Sequence, residues 1–238
     1  HRTGLTLDGK LVAMDVDVLL DGGAYATLSA VVLSRAVIHA AGPYRCDHVR
    51  IKGKVVRTNT PPNGAFRGFG VPQSCFAVER HFDVIASKLK IDPVAFRRKN
   101  LLRDGETTAT GQAVVDAGES HEALDRALES AQWAKKKKAF AAFNEKSRYT
   151  RRGIGMASFF HGTGFTGGGE LYLMSQAGVV ITPEGNVVVL AASTEIGQGT
   201  RTVFSQIVAD TLGLPYAMVD VADPDAANVP DSGPTVAS

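Results

Sequence analysis

The chain has 238 residues, 44% of them hydrophobic and 21% charged, with a formal net charge of +2 from 26 basic and 24 acidic side chains. That size and composition suit one large domain or two modest ones with a core, and the near-balance of charge gives no electrostatic reason to invoke nucleic acid or an anionic membrane as partner. No apolar run reaches the length of a membrane span, and Cys46 and Cys75 belong to no CxxC pair, which argues against a disulfide scaffold or a zinc site and suits a cytoplasmic home.

The first residues read as strand and His1 is no initiator, so the chain is expected to be an internal piece of something longer. Leu11–Leu20 alternates apolar and acidic residues, the mark of a half-buried strand, and Asp21-Gly22-Gly23 predicts a turn. Val31–Ala40 predicts a short helix carrying Arg35, and Val49–Thr58 a second alternating strand. The loop Asn59–Pro72 holds three Gly, three Pro and two Asn and follows neither period. Gln73–Leu89 predicts an amphipathic helix. Asp92-Pro93 starts another, with Asp as N-cap and Pro at the first helical position, running to about Leu102. Ser120–Trp133 and Lys135–Lys146 are also helical, and the run Lys135–Lys138 reads as a solvated helix face.

A boundary is expected near Tyr149–Arg152, where Lys-rich helix gives way to strand patterns. Gly153–Phe160 and Leu171–Thr182 read as strands, Pro183–Asn186 as a hairpin turn and Val187–Ala192 as the return strand. After Gly197-Gln198-Gly199, Thr200–Leu212 predicts a helix and Met218–Val221 a strand. The chain stops in a Gly/Ser/Thr-rich stretch, Asp231–Ser238. Strands and helices mix without a regular βαβ alternation, which favours an α+β fold, and no internal repeat is visible.

Three glycine-rich segments frame residues able to do chemistry. In Gly64–Gly70, Arg67 can fork onto an anionic or carbonyl oxygen, and Phe69 stands between two glycines, free to stack on a flat ring. A plain turn with Phe66 and Phe69 in the core reads the same residues equally well. Thr163–Gly169 again sets an aromatic, Phe165, among glycines beside the hydroxyl of Thr166. Thr194–Thr200 lies at a strand-to-helix junction, where backbone N–H groups suit a phosphate or another anion. Arg35 sits in an apolar stretch, where a guanidinium is costly unless paired; a structural salt bridge is the common outcome. His39 and His161 read as partly buried polar residues. GxSxG, HExxH and Walker patterns are absent, and Gly68-Phe69-Gly70, followed by Val71-Pro72-Gln73, does not continue into a GxGxxG fingerprint.

The order of these segments resembles the molybdenum-binding subunit of the xanthine dehydrogenase and aldehyde oxidase family. TNTPPNGAFRGFGVPQ (Thr58–Gln73) is similar to that family's most characteristic stretch, and DPVAFRRKNLL to its DP-x-x-x-R-x-x-N-L helix. STEIGQGTRTVFSQI resembles its cofactor-contacting GQG segment, and VPDSGPTVAS the loop that lines the metal. Carried over residue by residue, the resemblance implies that Arg67 and Ala237 lie beside the molybdenum through main-chain contacts. It implies that Gly197, Gln198 and Ser238 contact the pterin, and that Phe69 and Phe165 sandwich a planar substrate with Thr166 at its rim. Arg35 matches the arginine that, in xanthine-oxidising members, faces a purine oxygen and offsets negative charge on the ring; aldehyde-oxidising relatives commonly lack it.

The implied architecture is a two-part molybdopterin-binding α+β fold, truncated at both ends. Residues 1–149 would form the first subdomain, lacking its N-terminal part, with a helical connector, and residues 150–238 the start of the second. The implied activity is hydroxylation of a purine-type N-heterocycle, xanthine or hypoxanthine, with water as oxygen source. The cofactor would be molybdenum-molybdopterin, with or without a cytosine nucleotide, served by iron–sulfur clusters and FAD on other domains or subunits, the whole assembly forming a homodimer. An aldehyde or nicotinate-like heterocycle hydroxylase is the alternative within the family; a non-catalytic scaffold domain is the alternative of another class. The family's base glutamate falls C-terminal to this sequence and a second substrate-facing glutamate before His1, so the chain is not expected to turn over alone. The run Gly167–Gly169 before Glu170 is richer in glycine than in animal relatives and resembles bacterial branches.

Overall fold

The structure is a computed structural model that describes residues 1–162, 174–233 and 235. The chain divides into two compact units, His1–His161 and Gly162–Ser238.

In the first unit, β1 (Arg2–Leu5), β2 (Leu11–Gly23) and β3 (His48–Arg57) form one sheet in that order. β1 pairs antiparallel with β2, and β3 parallel to it. The parallel pair needs a crossover, and helix α1 (Ser29–His39) supplies it. Pairing shifts where Gly4 faces Ala13 but Leu5 faces Leu11, leaving Val12 over as a bulge. That bulge brings both Leu11 and Met14 to the buried side. The turn expected at Asp21-Gly22-Gly23 does not form: β2 runs on, with Asp21 facing Val56 and Gly23 facing Arg57. The glycines serve close approach instead, because a Cβ on Gly23 would lie 2.4 Å from the Pro61 carbonyl oxygen.

Helix α2 (Val71–Leu89) buries Val71, Ser74, Val78, Glu79, Phe82 and Ala86 along one face. Helix α3 (Pro93–Asn100) starts as its sequence predicts, with the Asp92 carboxylate accepting from the amides of Val94 and Ala95. Helices α4 (Gly118–Ser130) and α5 (Trp133–Lys146) follow, separated by Gln132 in the left-handed conformation at φ 50°. The core gathers Leu11, Met14, Tyr44, Val78, Phe82, Phe96, Leu101 and Leu124, with the Phe82 ring edge-on to Tyr44 at 4.8 Å and to Phe96 at 5.4 Å.

The DPVAFRRKNL motif is explained by packing. Asn100 accepts from the Leu11 amide at 2.9 Å and donates to the carbonyls of Gly9 and Phe96, tying α3 to the start of β2. Arg97 is fully buried, donating to Glu79 Oε2 at 2.8 Å and Asp83 Oδ1 at 2.9 Å. Tyr44 donates its hydroxyl to Glu79 Oε1, and the Ser158 amide donates to Glu79 Oε2 at 2.9 Å. Burial, then the neighbouring Glu79 carboxylate, hold the Tyr44 phenol far above its ordinary pKa. Gly153–Phe160, expected as a strand, has no strand pairing. The Ser158–Glu79 bond holds it to the first compact unit, which ends at His161.

In the second unit, β4 (Gly178–Ile181) and β5 (Val187–Leu190) form the expected hairpin, with Thr182 and Asn186 closing its turn. Helix α6 (Thr200–Leu212) crosses over to β6 (Val219–Val221), which lies parallel to β5 after a short 3-10 turn at Tyr216–Met218. Val187, Val189, Ala209, Val219 and Val221 form its core. The fold is the mixed α+β kind expected, with one difference. Both sheets carry an antiparallel pair followed by a helix and a parallel strand, a repeat of topology that the residues do not repeat. Among the described residues no helix is long and apolar enough to cross a membrane.

Candidate active site

The Thr58–Gln73 segment is built outward from one carboxylate. Asp21 accepts from Thr58 Oγ1 at 2.5 Å, from Thr60 Oγ1 at 3.1 Å and from the Gly23 amide at 2.9 Å. The Thr58 hydroxyl and the Gly23 amide hold Asp21 below the usual carboxylate range, against the small cost of its desolvation. Asn63 donates to the Asp21 carbonyl at 2.9 Å, and the Asn63 carbonyl accepts from Thr27 and Ser29 at the start of α1. Asp21 therefore fastens the first half of the loop to β2 and α1. Sequence reasoning missed it, although an Asp at a strand end facing a TNT tripeptide is a recognisable signal.

The second half is pressed against α1. Gly68, Phe69 and Gly70 all have positive φ, at 97°, 49° and 92°. For Phe69 that is a sparsely populated conformation which the surroundings must hold. A Cβ on Gly70 would meet the Val32 carbonyl oxygen at 2.4 Å and the Ala36 Cβ at 3.0 Å. Ser74 Oγ then donates to the Ala36 carbonyl at 2.7 Å. The half-buried Phe69 is thus set on the stretch of α1 that carries Arg35, so two of the site residues singled out from sequence come from adjoining elements. Arg67 and Phe66 are exposed, which answers the competing reading: Phe66 is not a core residue.

Arg35 is 7% exposed and His39 3%. The His39 Nδ1–H donates to the Arg35 carbonyl at 2.8 Å. Burial pushes the His39 ring below its ordinary pKa, with the Arg35 carbonyl pulling the other way. Arg35 Nη1 lies 3.3 Å from His161 Nε2, so one partner of its guanidinium is an imidazole. His161, expected partly buried, is exposed, and its ring stacks on His39 at 5.7 Å.

In the second unit, the loop before α6 departs from expectation. Gly197 and Gly199 have φ of 94° and 78°, and their amides converge with that of Thr200. The anion they hold is the chain's own Glu195, whose carboxylate accepts from Gly197, Gly199 and Thr200 at 2.7, 3.1 and 2.7 Å. The Gly199 amide leads the causes that lower the Glu195 pKa. Gln198 spends both amide hydrogens on the Thr194 carbonyl and Thr200 Oγ1, and its Oε1 accepts from the Ile196 amide. The Thr194 amide donates to Thr235 Oγ1 at 2.9 Å and the Ala192 amide to Ser232 Oγ at 2.8 Å, which brings the C-terminal loop beside the GQG segment. Phe165, Thr166, Ala237 and Ser238 lie outside the described residues.

The acceptors left open decide what this loop can hold. The amides of Ile196, Gly197, Gly199 and Thr200 are already satisfied, which disfavours a phosphate there. A lone pair of Gln198 Oε1 and the exposed backbone of Gly197 remain, and these acceptors suit the ring N–H groups of a flat heterocyclic cofactor. Among the described residues no three His, Cys, Asp or Glu gather to hold a metal ion. The donor set fits a metal carried by an organic ligand that hydrogen bonds to main chain and carboxamide.

Two family models match the chain, each described as a molybdopterin cofactor-binding domain, over residues 1–101 and 126–238. The chain is 35% identical over its whole length to one subunit of a probable xanthine dehydrogenase of Bacillus subtilis, spanning 31% of that protein. It is 33% identical to a xanthine dehydrogenase of Oryza sativa, spanning 17% of its length. Among solved structures, an aldehyde oxidoreductase from Desulfovibrio gigas superposes with a TM-score of 0.77 at 28% identity, over 98% of this chain and 25% of that one.

Proposed function

The chain belongs to the molybdopterin cofactor-binding domains of the xanthine dehydrogenase and aldehyde oxidase family, and from that premise we propose that it forms one wall of the active site of a molybdenum hydroxylase acting on a purine-type N-heterocycle. The observation that carries the purine reading is the buried Arg35 on the helix against which the strained Phe69 turn is pressed. A flat ring stacked on Phe69 and a guanidinium at its edge suit a heterocycle bearing an exocyclic carbonyl oxygen.

When bound, the cofactor supplies the two-electron oxidation and the transfer of a water-derived oxygen. This chain's residues bind and orient. Gly197 and Gln198 offer acceptors to the pterin, with Ser238 as a further contact, and the main chain at Arg67 and Ala237 lies on the metal side. Phe69 would stack on the ring, and the resemblance assigns Phe165 and Thr166 to the same substrate. Arg35 presents fixed positive charge to the oxygen on which negative charge grows as the ring is attacked. Proton removal falls to a group beyond this chain, and electrons leave through iron–sulfur and flavin modules on other domains or subunits. Residues 1–149 and 150–238 serve as parts of the two molybdopterin-binding subdomains, in a dimeric cytoplasmic assembly.

The test is Arg35→Met in the full-length protein, screened on xanthine, hypoxanthine, nicotinate and benzaldehyde. Loss of one such charge-stabilising donor costs about 10²–10³-fold in turnover, and that loss is expected on the oxo-purines. Xanthine turnover unchanged by the substitution would show that Arg35 reads no purine. Wild-type preference for benzaldehyde would move the protein to the aldehyde-oxidising branch. Absence of molybdenum and pterin from protein made in a competent host would leave it a scaffold.

A further inference from the structure

Resting on the reading that Arg35 faces a heterocycle oxygen, we infer that His161 is a positioning and specificity-determining residue: its imidazole, acting as a hydrogen-bond acceptor, sets the direction in which the Arg35 guanidinium points.

Arginine has only donors. With Arg35 Nη1 at 3.3 Å, His161 Nε2 is therefore the acceptor of this bond. The other end of Arg35 is fixed in the opposite sense. A carbonyl only accepts, so His39 Nδ1 carries its proton and clamps the Arg35 main chain at 2.8 Å. The two rings lie nearly parallel, 24° apart at 5.7 Å, and Phe160 backs His39 at 5.4 Å. Arg35 is thus held at its backbone by one histidine and at its guanidinium by the next.

The segment that delivers His161 is itself anchored. Three residues upstream, the Ser158 amide donates to Glu79, a carboxylate 5% exposed and pinned by Arg97 and Tyr44. A long, flexible side chain needs such an acceptor to hold one rotamer.

The exposed outer face of His161 lets it be replaced without opening the core. In the full-length protein, His161→Phe keeps a ring to stack on His39 and removes the acceptor; His161→Gln keeps an acceptor. The readout is the ratio of kcat/KM for xanthine, which bears exocyclic carbonyl oxygens, to that for unsubstituted purine, which bears none. His161→Phe should lower this ratio about tenfold to a hundredfold, the cost of misaiming a positioned group by about an ångström, and His161→Gln should restore most of it. A fall on both substrates at a constant ratio, or no rescue by glutamine, overturns the proposal.

Crystal structures of wild type and His161→Phe give a second readout that needs no turnover. A guanidinium displaced in the variant supports the positioning role, and one superposed on the wild-type position refutes it. If Arg35→Met leaves the substrate ratio intact, the purine reading has failed, and the two crystal structures alone then decide the role of His161.

Discussion

Replacing Gly70 with alanine probes the contact that sets the Phe69 turn on α1. Two costs add. The residue has φ 92°, where an L side chain is strained by about 1–2 kcal/mol. Its Cβ would stand 2.4 Å from the Val32 carbonyl oxygen, a backbone atom that no rotamer change can move. Relieving such overpacking costs about 1–3 kcal/mol, so the total is about 2–5 kcal/mol. For a chain of this size that lowers Tm by roughly 5–20 °C. Gly64 in the same loop is the control, since nothing lies within 4 Å of its added Cβ and its φ is not positive. Thermal melts followed by circular dichroism should separate Gly70→Ala clearly from a near-neutral Gly64→Ala. Equal melting temperatures would refute the claim that the turn is pressed onto α1.

Glu79→Ala should destabilise by about 3–5 kcal/mol in urea titration, because it strands the fully buried Arg97 and strips an acceptor from Tyr44 and Ser158; a loss under about 1 kcal/mol would show the network to be dispensable. Asp8 is held at about 2, below its ordinary 3.8, by the Thr6 hydroxyl and then Lys99. The unfolded chain binds that proton first, so Asp8's contribution is present above the ordinary value and drains away as pH falls toward 2. Asp8→Asn should flatten the decline of Tm with acid across that window, and an unchanged slope would assign the decline to other carboxylates. Glu195→Ala should lower Tm and create an anion site: added formate or phosphate should raise the variant's Tm and leave wild type unmoved, whereas equal response in both would mean that Glu195 does not fill the loop.

Much of the fold was legible because its elements follow local rules. The Asp92-Pro93 start of α3, the Pro183–Asn186 turn and the bounds of α6 stand where sequence placed them. The misses arise where distant residues decide. Gly22 and Gly23 looked like a turn, but their role is to admit the Pro61 carbonyl from across the sheet. Gly153–Phe160 has strand-like residues yet pairs with no strand among the described residues, and it is tied instead to Glu79 on a helix. The glycines before α6 correctly signalled converging amides, but not that Glu195, a few residues away, would occupy them. At the site, Arg35 and Phe69 stood out by residue type. Asp21, His39 and His161 did not, because their roles depend on which backbone group or side chain the fold brings to them.

The bonds of Asn100 have a consequence for the order in which the protein is made. Leu11 leaves the ribosome well before the acceptor for its amide, which sits 89 residues later, and the Gly9 carbonyl waits for the same side chain. At about 5–20 residues per second, roughly 4–18 s pass between the two during synthesis. Through that interval the nascent hairpin of β1 and β2 has a sheet edge and a backbone donor without their final partners, open to chaperones and to other nascent chains. Arg35 waits longer still, for an imidazole 126 residues downstream. The Arg35–His161 contact is therefore among the last of the first unit to form, and a ribosome stalled before His161 would release a chain whose core is set while that contact is still unmade.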